Sequence, residues 1–144
     1  MSLEEKAMST QPTLKDYLGI APTSGLELAE LVEKGLPTKN LELLKAKGLT
    51  FTEMAAVVIS PRTLKHRTAR GENLSPAETE RAVRVARIAA LAEEVFGNRE
   101  TALLWLRGKD DRLNNRTPMS FLNSEAGGRQ IEAMLHGIAH GIYS

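Results

Sequence analysis

The sequence predicts an all-α fold, on three observations. Hydrophobic residues make up 42% of the 144 residues and aromatic residues only 4%, and the hydrophobic ones are mostly Leu, Ala, Ile and Val, which suit helix packing. Residues that cap the start of a helix, and glycines that favour its end, recur along the chain. No stretch shows the sustained alternation of apolar and polar residues that is typical of a half-buried strand.

Composition and charge are those of a globular protein with one core or two small helical ones. The formal net charge is only +1 and cysteine is absent, which excludes disulfides and cysteine–zinc sites. The start, MSLEEKAMSTQPT, has no apolar stretch resembling a signal peptide, and no run approaches membrane-spanning length. We therefore expect a cytoplasmic protein with no membrane partner and no cofactor.

The first segment, residues 1–23, is polar and is interrupted by Pro12 and Pro22. We predict that it forms a flexible N-terminal arm, with at most one helical turn around Leu14–Leu18. Beyond the arm, the sequence predicts helices at about 26–34, 38–47, 51–58, 61–69, 76–96, 98–107 and 125–142.

Capping side chains predict where the first of these helices begin. Ser24 with Glu27 and Thr50 with Glu53 are capping boxes, in which each side chain satisfies a free backbone N–H of the other residue. Thr38 is the predicted cap of the second helix. Glycines follow the first two helices, where a glycine favours termination.

The same signals continue in the second half of the chain. Ser60 and Ser75 each precede a proline, which suits the first position of a helix because its missing N–H would have no partner there. Ser75 also forms a predicted capping box with Glu78. Asn98 and Ser124 are the predicted caps of the last two helices. Between those helices, Thr117 is predicted to begin a single turn.

One short segment, SPRTLKHRTAR at residues 60–70, concentrates positive charge without any acidic residue. A helix this polar gains little from burial, which supplies most helical stability, and Leu64 is its main apolar anchor. A helix that is held on a support and presents cations fits the second helix of a helix-turn-helix, which lies in the DNA major groove. The predicted DNA-binding residues are Arg62, Thr63, Lys65, His66, Arg67 and Arg70.

The turn before this helix departs from the common helix-turn-helix pattern. It lacks the usual glycine, and the spacing from Glu53 to Ser60 is one residue shorter than is typical. We therefore expect the second helix to lie at an unusual angle. An exposed amphipathic helix with incidental charge is the alternative interpretation.

Three arginines, Arg81, Arg84 and Arg87, recur at every third position of the longest predicted helix. We predict that Arg87 is solvated. For Arg81 and Arg84 the sequence leaves open a solvated position, contacts with the DNA backbone and a dimer interface.

The most diagnostic residues lie in the C-terminal half. They are Arg81, Phe96-Gly97, Ala102 with Trp105-Leu106, Thr117-Pro118, Glu125-Ala126-Gly127 and His140-Gly141-Ile142-Tyr143. With them, the chain from about residue 26 to its end resembles the Xre/MbcA/ParS antitoxin family, and within it the Xre antitoxins encoded beside RES-domain toxins.

This resemblance implies an Xre/Cro-like helix-turn-helix domain for DNA binding and dimerisation at 24–96, followed by a small helical toxin-binding domain at 97–144. Members neutralise a cognate toxin and repress their own operon, which implies operator DNA, a RES-domain toxin, a homodimer and a higher-order toxin–antitoxin complex. RES toxins are similar to ADP-ribosyltransferases and deplete NAD, which is the partner's chemistry. The alternative function is a plain dimeric regulator whose C-terminal bundle dimerises or senses a ligand.

The predicted toxin-binding residues lie in the C-terminal part. Similar antitoxins use this region to plug the toxin's active-site cleft, and the glycine-weakened last turn suits remodelling on a partner. Trp105 is a large rigid group, for which core packing is the alternative interpretation. The predicted set is Trp105, Leu122, Glu132, His136, Ile138, His140, Ile142 and Tyr143.

Three of these residues, Glu132, His136 and His140, are spaced by four and share one side of the last helix, as metal ligands would. No fourth ligand is evident in the sequence, so we predict an interface and no metal site. Catalysis would need a clustered nucleophile and base. Cysteine is absent, and the histidines lie in the basic helix or near the chain end, so we predict that the chain is not an enzyme.

Overall fold

The computed structural model describes residues 12–141, and the regular elements within them are all helical, which confirms the predicted all-α fold. The α-helices are α1 (Leu14–Leu18), α2 (Gly25–Lys34), α3 (Leu41–Ala46), α4 (Phe51–Val57), α5 (Pro61–Arg70), α6 (Pro76–Phe96), α7 (Arg99–Arg107) and α8 (Glu125–Ala139). Short 3₁₀ turns lie at Thr38–Asn40, Asp111–Leu113 and Pro118–Phe121. No helix within residues 12–141 is long and apolar enough to cross a membrane.

Side-chain caps confirm most of the predicted helix starts. The hydroxyls of Thr50 and Ser75 each accept a hydrogen bond from the backbone N–H three residues later. The glutamate carboxylate at that position accepts one from the backbone N–H of the cap residue, so both capping boxes are complete. The box at Ser24 forms only in part, because Glu27 accepts a hydrogen bond from the hydroxyl of Thr23 instead (2.6 Å).

Two helix ends differ from the prediction. Thr38 makes no capping hydrogen bond and is the first residue of a 3₁₀ turn after Pro37, so α3 begins only after that turn. The last helix ends at Ala139, earlier than expected, because Gly141 adopts a left-handed φ of 76° that cannot continue a helix.

The helical turn predicted at Leu14–Leu18 is confirmed as α1, but it belongs to the core and not to a flexible arm. Tyr17 is 3% exposed and Leu18 is fully buried, because α1 packs its apolar side against α6 and α3. The Tyr17 hydroxyl donates a hydrogen bond to Glu93 in α6, and the side-chain amide of Asn40 donates one to the Leu18 carbonyl (2.8 Å). Residues 1–11 of the predicted arm lie outside the described residues.

The long helix α6 forms the centre of the fold, and α1, α2, α4, α7 and α8 pack against it. Val85, Ile88 and Ala92 of α6 have no exposed surface. They belong to one continuous cluster of buried side chains that also includes Met54 from the N-terminal half. From the C-terminal half the cluster takes in Leu106, Ile131, Met134 and Leu135.

Polar contacts also join the two predicted domains. The guanidinium of Arg107, at the end of α7, donates two hydrogen bonds to the carboxylate of Glu53 in α4 (2.7 and 2.9 Å). It donates a third to the carbonyl of Gly48 (2.7 Å). The turn Pro118–Phe121 packs against α4 as well. The C-terminal part therefore supports the helix that precedes the basic one.

Candidate functional site

Helices α4 and α5 form a helix-turn-helix in which the turn is filled by apolar side chains. Val58 and Ile59 are buried in the core. Val58 has φ −122°, so no residue of this short turn needs the left-handed conformation that favours glycine. The Nε of Arg81 donates a hydrogen bond to the Val58 carbonyl (2.8 Å) and holds the turn against α6. The shortened turn has no left-handed position, so it does not need the glycine that is usual in a helix-turn-helix.

Helix α5 presents most of its charge on one exposed face. None of its residues is buried, and Leu64 is its partly buried apolar anchor. The exposed residues at helical spacing are Arg62, Lys65, His66 and Arg70, which we call the cationic face. Among residues 12–141, no acidic side chain forms a salt bridge with any member of this face.

The two other predicted DNA-binding residues of α5 are engaged within the chain. Arg67 pairs with Glu78 through Nε and Nη2 (2.6 and 3.2 Å) and lies 3.8 Å from Glu72, and the hydrogen bond to Glu78 raises the pKa of Arg67. Thr63 accepts a hydrogen bond from the Ser60 hydroxyl (2.8 Å). Arg67 therefore holds α5 against the start of α6, and its contact with DNA stays a prediction.

Two carboxylates with a lowered pKa, Glu78 and Glu53, are buried or half-buried in the fold. Burial raises the pKa of Glu78, but hydrogen bonds from Arg67 and from the Ser75 backbone outweigh burial and hold that pKa below the ordinary 4.5. Burial likewise raises the pKa of Glu53, and the hydrogen bond from Arg107 with that from Thr50 lowers it overall. A carboxyl group with a lowered folded-state pKa stabilises the fold above its unfolded pKa, and this contribution is lost as the pH falls through the folded pKa.

We therefore expect the Tm, measured by calorimetry, to fall as the pH is lowered from about 5 to about 3. A Glu78→Gln variant should have a lower Tm at pH 7, because the charged pair with Arg67 is gone. It should also lose less stability on acidification than the unchanged chain does. An identical acid dependence in the variant would contradict this assignment.

The arginines that the sequence left open are both structural. Arg84 is only 7% exposed, and its Nη1 donates to the carbonyl of Leu122 (3.3 Å) while Nη2 lies 3.4 Å from Glu125. Its Nε has no hydrogen-bond partner within residues 12–141. Arg84 joins α6 to the start of α8, as Arg81 joins α6 to the helix-turn-helix turn.

Two predicted toxin-binding residues are part of the protein interior. Leu122 is fully buried, so its prediction as a toxin contact is wrong: its side chain completes the core beneath the Pro118–Phe121 turn. Trp105 is half-buried and packs against Phe96, with the ring centroids 5.7 Å apart. In the free chain Trp105 therefore packs against the core, which is the alternative interpretation of this residue.

The remaining predicted residues that the structure describes lie on α8 or directly after it. Glu132 pairs with Arg87 of α6 (3.5 Å) and lies 3.9 Å from Nε2 of the exposed His136. Ile138 is half-buried and His140 is exposed. The structure groups no three metal-ligating side chains within residues 12–141, and Arg87 places a positive charge beside Glu132. The predicted residues that lie outside the described chain are Ile142 and Tyr143.

Sequence reasoning missed the contacts between distant positions. The pair Arg107–Glu53 joins residues far apart in the chain, and no local pattern indicates it. Arg84 had a usable signal, since it stands four positions before Ile88 and therefore on the apolar side of the helix. Ala69 was missed because it carries no charge, although it lines the exposed surface of α5 with Arg62 and His66.

Comparisons with known proteins agree with this geometry. Residues 27–87 match the family described as the antitoxin Xre-like helix-turn-helix domain. Residues 91–141 match the antitoxin Xre/MbcA/ParS C-terminal toxin-binding domain.

Two curated relatives are similar over most of their length. The antitoxin Xre of Pseudomonas putida is 35% identical over 118 residues, which cover 82% of this chain and 74% of the relative. The antitoxin Xre of Yersinia enterocolitica is 28% identical over 130 residues, 88% of each chain. The chain therefore belongs to the Xre/MbcA/ParS antitoxin family, with a helix-turn-helix domain followed by a toxin-binding domain.

Proposed function

We propose that this antitoxin neutralises a RES-domain toxin that depletes NAD, and that it represses its own operon as a cytoplasmic homodimer. In this proposal the catalytic chemistry belongs to the toxin alone, and the antitoxin is not an enzyme. The two activities divide at about residue 96, with DNA binding and dimerisation at 24–96 and toxin binding at 97–144. The division is one of surfaces, because both parts share a single core.

The cationic face of α5 is the observation that carries the DNA-binding half of the proposal. Its cations are exposed on a helix that is capped, anchored by Leu64 and held to α6 by Arg67. Such a helix can enter a major groove without distorting the fold. One short helix offers few base contacts, so a two-fold dimer on two half-sites is the arrangement that gives a specific operator complex.

We expect Arg62→Gln and Lys65→Gln each to weaken binding to a duplex from the region upstream of the gene. Each should lower the slope of log affinity against log salt by about one, because one phosphate contact is lost. Arg67→Gln is the matched comparison, and its main effect should be a lower Tm. Titrations at several salt concentrations measure this, and unchanged affinity in both face variants would refute the recognition-helix assignment.

The toxin-binding half of the proposal rests on the C-terminal resemblance to antitoxins encoded beside RES-domain toxins. The exposed side of α8 with Glu132 and His136, together with His140 directly after it, would contact the toxin around its cleft. Residues 142 and 143, Ile and Tyr, would enter the cleft and exclude the dinucleotide substrate. A higher-order complex follows when an antitoxin dimer holds its toxin.

Deleting His140–Ser144 tests this mechanism, because α8 ends at Ala139 and the deletion removes no side chain that is buried among residues 12–141. We expect the shortened chain to bind its promoter normally but to lose neutralisation, with NAD falling in cells that also carry the toxin. The assay is co-expression with the neighbouring RES-domain gene product, scored by growth, NAD content and co-purification. Full protection by the shortened chain would show that inhibition comes from the bundle surface and not from the tail.

A further inference from the structure

Asn123 lies where the helix-turn-helix meets the start of α8, and two open grooves adjoin at its exposed side chain. The first groove, of about 300 Å³, is lined by Ala55, Ala56, Ser60, Arg81 and Asn123 among others, and we call it the turn groove. The second, of about 380 Å³, is lined by Arg116, Phe121, Asn123, Ser124 and Gln130 among others, and we call it the α8 groove.

The chemistry of these grooves suits a phosphate chain. No Asp or Glu is found among the described residues that line either one. The guanidinium of Arg116 lies over the ring of Phe121 (4.3 Å to the centroid), and within residues 12–141 it forms no salt bridge. Arginine, asparagine, glutamine and serine side chains are the usual donors to DNA phosphates.

The position of the grooves beside the helix-turn-helix also favours contact with a phosphate chain. The turn groove begins at Ser60, which caps the cationic helix α5, and it runs along the outer residues of α4. In a helix-turn-helix complex the second helix enters the major groove while the first crosses the sugar–phosphate backbone. A strand that crosses α4 at Ala55 and Ala56 would therefore continue past Asn123 towards Arg116.

We propose that the operator backbone extends beyond the helix-turn-helix onto Asn123 and Arg116, so that the toxin-binding domain itself makes phosphate contacts. The proposal rests on the proposed DNA-binding function. These contacts carry no sequence information. They extend the footprint along one strand and fix the orientation of the protein on the duplex.

Opposite charge changes at Asn123 give the sharpest test. Asn123→Asp should fold at least as well as the unchanged chain, because a negative charge next to the start of α8 favours its dipole. It should nevertheless bind the duplex several-fold more weakly, whereas Asn123→Lys should bind several-fold more tightly. Fluorescence anisotropy with a labelled duplex from the upstream region, together with thermal melts, measures both effects.

Arg116→Gln removes the second contact, and Arg129→Gln is its matched control. Arg129 pairs with Glu125 (3.1 Å) on the same helix and lines neither groove. We expect Arg116→Gln to weaken binding by up to about tenfold, as for one charge-assisted hydrogen bond, and to lower the salt slope by about one. Arg129→Gln should change both quantities much less.

Arg62→Gln separates the two proposals. If it weakens DNA binding while the variants at Asn123 and Arg116 behave like Arg129→Gln, the extended contact is wrong and the operator-binding function stands. If Arg62→Gln and Lys65→Gln also have no effect, both proposals fall. If the variants at Asn123 and Arg116 no longer co-purify with the toxin but keep their DNA affinity, the grooves belong to the toxin interface and the extended contact with DNA is wrong.

Discussion

A chain that ends at Phe96 is expected to lose its cooperative unfolding transition and, with it, DNA binding. The truncation removes the buried side chains of Leu106, Ile131, Met134 and Leu135. At about 1.5–3 kcal/mol each, their loss is comparable with the whole free energy of unfolding of a domain, about 5–15 kcal/mol. It also uncovers the inner side of α6 and removes the Arg107 contacts with Glu53 and Gly48.

Circular dichroism during heating and anisotropy with the upstream duplex measure this effect. The control is a chain that ends at Ala139, which keeps the whole of α8 and should melt cooperatively and bind DNA. If the chain that ends at Phe96 melted cooperatively and bound with full affinity, the helix-turn-helix would be an independent unit. The shared core would then contribute little to its stability.

Gly127→Ala is expected to destabilise the fold by about 3 kcal/mol, at the upper end of what overpacking usually costs. A Cβ at this position would lie 2.0 Å from the carbonyl oxygen of Phe121 and 2.9 Å from its carbonyl carbon. These are backbone atoms of the Pro118–Phe121 turn, so no side chain can move aside to make room. The turn would have to separate from α8, which lies directly above it.

The same chemical change at Gly25 is the matched control. Gly25 is the first residue of α2, and a Cβ there would meet no atom within 4 Å. Gly25→Ala should stabilise the fold by about 0.4–1 kcal/mol, because it restricts the unfolded chain and suits a helix. Calorimetry should show a Tm lower by about 10 °C for Gly127→Ala and a slightly higher Tm for Gly25→Ala. Equal shifts in the two variants would contradict the contact with Phe121.

The local features of this fold could be predicted from the sequence because their causes are local. The capping boxes at Thr50 and Ser75 set the starts of α4 and α6, and the cations of α5 stand on an exposed face as their spacing indicates. The arm prediction failed at Tyr17 and Leu18, since a single helical turn between two prolines gives too few positions for an apolar period to be seen.

The candidate site was less predictable, because several of its residues are defined by tertiary partners. Arg67 looks equivalent to Arg62 in the sequence, yet Glu78 at the start of the next helix binds it. Leu122 was predicted to contact the toxin, whereas its side chain is fully enclosed in the core. A local pattern reports which residue types a helix carries, but it does not report which element lies over them.

The hydrogen bonds of Arg107 to Glu53 and Gly48 have a consequence for how such genes can recombine. A crossover near residue 97 would join one family member's DNA-binding half to another's toxin-binding half, and the chimera would keep this pair only where the incoming half places a carboxylate at the position of Glu53. The buried contacts of α6 with α7 and α8 would have to match as well. Chimeras made at this boundary should therefore fold poorly, which keeps the choice of operator and the choice of toxin together as one heritable unit.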